Sequence, residues 1–172
     1  MGNTCLRLAD TDAAQLHYQK SREIFGPLLD LAPDSGVVQA NYMLALARCG
    51  QVEPAAELAF SLAENHPDNP HLLVSAACGE AICAAVIAGG AEPEQLEMKD
   101  RVRCLEHRSR ALHNVSEALN LDYGLLFLLR VDPDTVPLQQ LPEFIQLLNR
   151  VESIGLADGT MKRSAVEPTQ PP

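Results

Sequence analysis

Two similar turns, Ala32-Pro33-Asp34-Ser35 and His66-Pro67-Asp68-Asn69, divide the first half of the chain, with their prolines 34 residues apart. Between them the apolar positions form one helical run over residues 37–49, a stop at Gly50, and a second run over 54–65. Proline at a helix start and glycine just past its end are the expected punctuation. Asn69-Pro70 supplies an N-cap and a tolerated first-turn proline for a third helix. Two helices per 34-residue period predict a helical-hairpin solenoid. Upstream, Ala14, Tyr18, Ser21, Phe25 and Leu28 fall on one face of a long helix, with a kink or break expected at Gly26-Pro27 because proline loses a backbone hydrogen bond there.

Downstream the pattern predicts a helix from 70 to about 88, a loop at Gly89-Gly90-Ala91-Glu92-Pro93, and a long helix to about 121 that ends at Asp122-Tyr123-Gly124. A short apolar helix over 125–130, a turn at Asp132-Pro133-Asp134-Thr135 and a last helix over about 142–154 complete the pattern. The expected architecture is all-α: a helical-hairpin domain over 1–154, made of repeats at 1–35, 36–69 and 70–123 and a cap at 124–154. The polar, proline-rich residues 155–172 are expected to form a disordered tail.

Composition supports helix over strand: hydrophobic residues are 47%, aromatics only 4%, and there is no Trp. The formal charge of −10 would be repelled by a phosphate backbone or an anionic leaflet, so no nucleic-acid or membrane partner is expected. Residues 72–91 are apolar enough to raise a membrane question, but Glu80 at their centre and the many small residues favour a buried helix. The five cysteines (5, 49, 78, 83 and 104) are an odd number, and the N-terminus lacks a basic region followed by a long apolar core. Reduced thiols and a cytoplasmic location are the expectation. Met1-Gly2 with Thr4 does not fit the spacing of a myristoylation start.

Gly50, Ala55 and Pro67 meet the spacing of the turn glycine, packing alanine and closing proline of the tetratricopeptide repeat, which this chain resembles. Met1-Gly2-Asn3, Asp10, Asp12, Ala14 and Tyr18-Gln19-Lys20-Ser21 run like such a repeat entered midway through its first helix, with Pro33 seven residues late. Ala111, Val115 and Ala118 stand at second-helix positions of a third unit. The closing segment Leu129-Arg130-Val131-Asp132-Pro133-Asp134-Thr135-Val136-Pro137-Leu138, with Leu141-Pro142-Glu143-Phe144 and Leu147-Leu148, is similar to the end of tetratricopeptide regions in bacterial proteins. It is most like those at the C-terminus of eukaryotic-like Ser/Thr protein kinases. Thr135 stands where that pattern has Leu, and Gln139 where it has Arg. The resemblance implies the non-catalytic end of a kinase-type parent, with Val136, Leu138, Phe144 and Leu147 closing the apolar end of the array. It also implies a half-built N-terminal repeat, with Tyr18 and Phe25 under-covered and a homodimer possible through them.

In tetratricopeptide arrays the first helix of each hairpin lines a concave groove that binds partners. That register implies a peptide-binding set of Asn3, Arg7, Asn41, Leu44, Arg48, His71, Val74 and Ser75. Asn3 and Asn41 resemble the asparagines of carboxylate-clamp repeats. His71 and Ser75 stand where that clamp has a Lys and an Arg, so an internal, partly apolar segment is the expected ligand. The groove could instead be plain surface, or be filled by the protein's own last helix.

The functional expectation is a non-catalytic interaction or regulatory module, not an enzyme, with no cofactor and a protein or peptide partner. None of the kinase motifs occurs: there is no Gly-rich phosphate loop with its Lys and catalytic Asp. The alternative is a helical-scaffold enzyme with a Cys- or His-based site. Cys104 and His107, one helical turn apart, could supply two zinc ligands, but no second pair has ligand spacing, and a structural Cys beside a surface His is the simpler reading. Cys78 and Cys83 point to different faces of one helix. Lys99, Arg101, Arg103, Arg108 and Arg110, interspersed with Glu97, Asp100 and Glu106, read as a solvated, salt-bridged face. Asn114-Val115-Ser116 matches a glycosylation sequon but lies mid-helix, where it carries no meaning.

Overall fold

The computed structural model describes residues 11–132 and 135–157, and these residues are all-helical, with no strand among them. The elements are α1 (Thr11–Leu31), α2 (Gly36–Arg48), α3 (Val52–Asn65), α4 (Pro70–Ala88), a 3₁₀ turn (Pro93–Gln95), α5 (Met98–Leu121), α6 (Leu125–Val131), α7 (Val136–Gln139) and α8 (Pro142–Ala157). Helix α8 runs beyond the expected end at 154. The rest of the expected tail, the N-terminal residues 1–10 and the centre of the Asp132–Thr135 turn lie outside the described residues.

Helix ends follow local chemistry. Ser35 accepts from the Val38 N–H at 3.4 Å, and Asn69 Oδ1 accepts from Leu72 N–H at 3.2 Å, so the two similar turns each end in a side-chain N-cap. Gly50 (φ 76°) carries the α2–α3 turn in the left-handed region where a side chain would be strained. The expected break at Gly26-Pro27 is absent, because α1 continues through Pro27 to Leu31. Proline at position 27 deprives the Glu23 carbonyl of its helical partner, but both residues are exposed and water can satisfy that oxygen.

Neighbouring helices pack in sequence from α1 to α5, and α2 also lies against α4. At that crossing Gly79 of α4 meets Met43 of α2: a Cβ on Gly79 would lie 2.7 Å from Met43 Sδ. Ala55, expected at a close helix approach, is fully buried in a cluster with Leu46, Ala47, Ile82 and Cys83, while Glu57 faces solvent. Helix α4 is at the centre, touching α2, α3, α5 and α7. It is long and apolar enough to cross a membrane by length and composition, and 67% of its apolar window is buried inside the fold.

Helices α6 to α8 close the far side of α4 and α5. Leu125, Leu126, Leu129, Leu138, Leu141, Phe144 and Leu148 share one apolar cluster with Leu73, Val74, Ala77, Ala111 and Val115. Of the residues expected to cap the core, Leu138 and Phe144 are fully buried and Leu147 is half-buried. Val136 is 42% exposed, because α7 is a single turn that can bury only one side. Thr135 and Gln139, which stand where the resembling closing segments have Leu and Arg, share one task. Thr135 Oγ1 lies within donating reach of the Leu129 and Asp132 carbonyls (3.0 and 2.7 Å), and Gln139 Nε2 donates toward those of Leu129 and Arg130 (3.3 Å each). Together they satisfy the last carbonyls of α6, which have no partner within the helix.

Candidate functional site

Helices α3 and α5 both pack on α4 but scarcely touch each other, which leaves a cleft of about 400 Å³ with α4 as its floor. Helix α3 and its following turn contribute Phe60, Ala63, Glu64 and Pro67; α5 contributes Arg110, His113, Asn114 and Glu117; α4 contributes Leu73 and Glu80. Each wall is a set of positions i, i+3, i+4 and i+7, the spacing that puts four residues on one helical face. On α5 the other face carries Ala111, Val115 and Ala118 into the main core.

Glu80 is 1% exposed and its Oε2 forms a 2.5 Å hydrogen bond with Nδ1 of His107, itself only 7% exposed. Arg110 Nη1 stands 3.9 Å from the other Glu80 oxygen. The pair ties α4 to α5 beneath the cleft and corrects the expectation of a surface His107. The acid at the centre of the apolar helix has its answering group one helix away, a pairing that no local spacing reveals.

Asn114 is 8% exposed and lines the cleft; its amide makes no hydrogen bond among the described residues and is not sealed from solvent. Glu64 and Glu117 are exposed on the opposing walls, and neither has an ion pair among the described residues. Elsewhere on the basic stretch, Arg103 joins Asp100 (3.4 Å) and Glu53 of α3 (2.5 Å), so part of the expected salt-bridged face reaches across to a second helix.

The described residues of the expected peptide groove lie on α2 and α4, which pack against each other. Asn3 and Arg7 lie outside the described residues. Asn41 and His71 are exposed, but the Asn41 amide donates to the Val37 carbonyl at 2.8 Å within its own helix. Ser75 likewise donates to the His71 carbonyl at 3.0 Å. Leu44 is half-buried against three core clusters and Val74 is buried in the largest, so both serve packing. Arg48 Nη1 donates to Tyr18 Oη at 2.8 Å and its guanidinium lies 4.8 Å over that ring. Tyr18 is therefore 9% exposed, not under-covered; Phe25 is half-buried.

The thiols have structural surroundings. Cys78, Cys83 and Cys104 are buried and unbridged. Cys104 Sγ points to the Ala84 carbonyl (3.6 Å) and Cys83 Sγ to that of Val52 (3.7 Å). Burial, reinforced by Glu80 and Glu53, pushes the Cys83 thiol up to about 12, far from a nucleophilic thiolate. Burial also raises Cys49, against a smaller opposing pull from Arg22. Among the described residues no group of three or more His, Cys, Asp or Glu could hold a metal ion.

No protein-family model matches the chain, and neither the curated proteins nor the solved structures contain a match.

Proposed function

We propose that the chain is a non-catalytic interaction module that holds a segment of a partner protein across its stacked helical hairpins. The observation that carries this reading is the α3–α5 cleft: an open groove of about 400 Å³ with a buried, unpartnered amide in its wall. That amide reaches solvent but no protein group, so a ligand that covers the cleft has to bond it, which gives the site a polar anchor point. The packing of α2 on both α3 and α4 supports a tetratricopeptide-like stacking. The closing motif adds, as part of the proposal, a kinase-type parent for which this region serves regulation or scaffolding.

The binding surface proposed is the cleft, in preference to the α2 and α4 faces, where Leu44, Val74 and Arg48 are committed to internal contacts. The test compares pull-downs from the source cell using wild type, a cleft variant (Phe60→Ala/Asn114→Leu) and a face variant (Asn41→Ala/His71→Ala). Loss of a partner in the cleft variant alone supports the proposal. Loss in the face variant alone moves the site to α2 and α4, and absence of any partner favours a structural spacer.

A further inference from the structure

We infer that the α3–α5 cleft is built for a basic side chain of the partner polypeptide, an arginine before a lysine; this rests on the interaction-module reading above. Three separate features converge on it.

The first is charge. The cleft contains three carboxylates, Glu64, Glu80 and Glu117, but their situations differ. Glu80 is already answered by His107 at 2.5 Å and faces Arg110 at 3.9 Å. Glu64 and Glu117 form no ion pair among the described residues, although Arg110 and His113 line the same cleft, and they belong to opposite walls, one on α3 and one on α5. The uncompensated charge of the cleft is therefore negative, within a chain whose formal charge is −10. An anionic ligand would meet these two glutamates and an Arg110 already engaged with Glu80.

The second is Asn114. It is more than nine-tenths buried and its amide makes no hydrogen bond among the described residues, so its carbonyl oxygen is uncommitted and can turn to accept from a ligand in the cleft. A guanidinium has five N–H donors in a planar fork and can reach an amide oxygen and carboxylates together, while an ammonium is a compact, strongly hydrated point charge. The third is the apolar lining. Phe60, Ala63, Pro67 and Leu73 offer a surface for the methylene stem of a long side chain. The Phe60 ring is 59% exposed at the cleft, available for a guanidinium to stack on.

The probe is the blocked tripeptide acetyl-Ala-Arg-Ala-amide, titrated into the full chain and followed by amide NMR. Its controls are the same peptide with citrulline, which keeps the shape and loses the charge, and n-propylguanidinium, a singly charged free guanidinium without peptide backbone. Saturable shifts at Phe60, His113 and the Asn114 side chain are expected, with the citrulline peptide at least about tenfold weaker. Glu64→Gln/Glu117→Gln should weaken the arginine peptide by at least about tenfold while leaving the unfolding midpoint unchanged, since both residues are exposed.

Equal binding of the citrulline peptide, or no shift at these residues up to about 10 mM peptide, overturns the inference. n-Propylguanidinium binding more tightly than the peptide overturns the polypeptide source and points to a free guanidinium compound. A partner lost by the cleft variant in pull-down, but bound without any arginine preference, sinks the arginine inference and leaves the module reading intact.

Discussion

Replacing His107 with leucine should be more damaging than replacing both members of the pair it forms with Glu80. In the wild type the Glu80 carboxyl is 1% exposed and hydrogen-bonded to His107 Nδ1 at 2.5 Å, and Arg110 Nη1 is 3.9 Å away. His107→Leu removes the one close partner and leaves a buried acid beneath the cleft, which costs about 3–5 kcal/mol when no water can reach it. Arg110 is half-exposed and can move toward the orphaned carboxylate, so about 3 kcal/mol is the working figure. Glu80→Leu removes the acid and leaves a buried imidazole nitrogen without its hydrogen-bond partner, costing about 1–3 kcal/mol. In Glu80→Leu/His107→Leu both polar groups are gone and two apolar side chains meet between α4 and α5. That variant should fall within about 1 kcal/mol of wild type or exceed it. Urea unfolding of the four proteins at neutral pH closes the cycle, with an expected coupling of at least about 2 kcal/mol. Additive single effects, leaving the double variant least stable of all, would refute the account of a mutually dependent buried pair.

Ala55→Leu should cost about 1–3 kcal/mol by overpacking the fully buried contact of α3 with α2 and α4, while Glu57→Ala stays within about 0.5 kcal/mol; equal urea midpoints would contradict this. Gly79→Ala should gain about 1 kcal/mol of helix propensity but lose about 1–3 to the Met43 side chain 2.7 Å from the new Cβ, so a net rise in thermal stability would count against the α2–α4 crossing. Arg48→Glu should loosen α1 from α2 by removing both the hydrogen bond to Tyr18 and the cation over its ring, seen as faster hydrogen exchange in residues 11–31 with 54–65 unaffected. A raised thiol pKa means less thiolate at any given pH. Alkylation at pH 8 should therefore label Cys49 slowly; Cys83, and the buried Cys78 and Cys104 for lack of reagent access, should react only after unfolding, and one fast-reacting thiol among those three would revive a cysteine-based activity.

Helix positions were legible in the sequence because the signals that set them are local. Asn69-Pro70 marked the start of α4 and Gly50 the α2–α3 turn, since an N-cap bonds an amide three residues on and a left-handed turn concerns one residue's φ. The packing role of Ala55 was also readable, because a small residue on an apolar face is where two helices can approach. The tertiary structure decided everything that depends on which faces meet. Whether Pro27 breaks a helix depended on its freed carbonyl lying in water. Whether Arg48 and Val74 were offered to a partner or used internally depended on Tyr18, 30 residues away, and on the apolar cluster closed by α6–α8. Glu80 and His107 are 27 residues apart and read separately as an awkward acid and a surface imidazole; they become one buried pair only when α5 folds back on α4. The cleft has the same origin. Its walls are ordinary amphipathic stripes on α3 and α5, and it exists because both helices rest on α4 at a separation that no property of either stripe encodes.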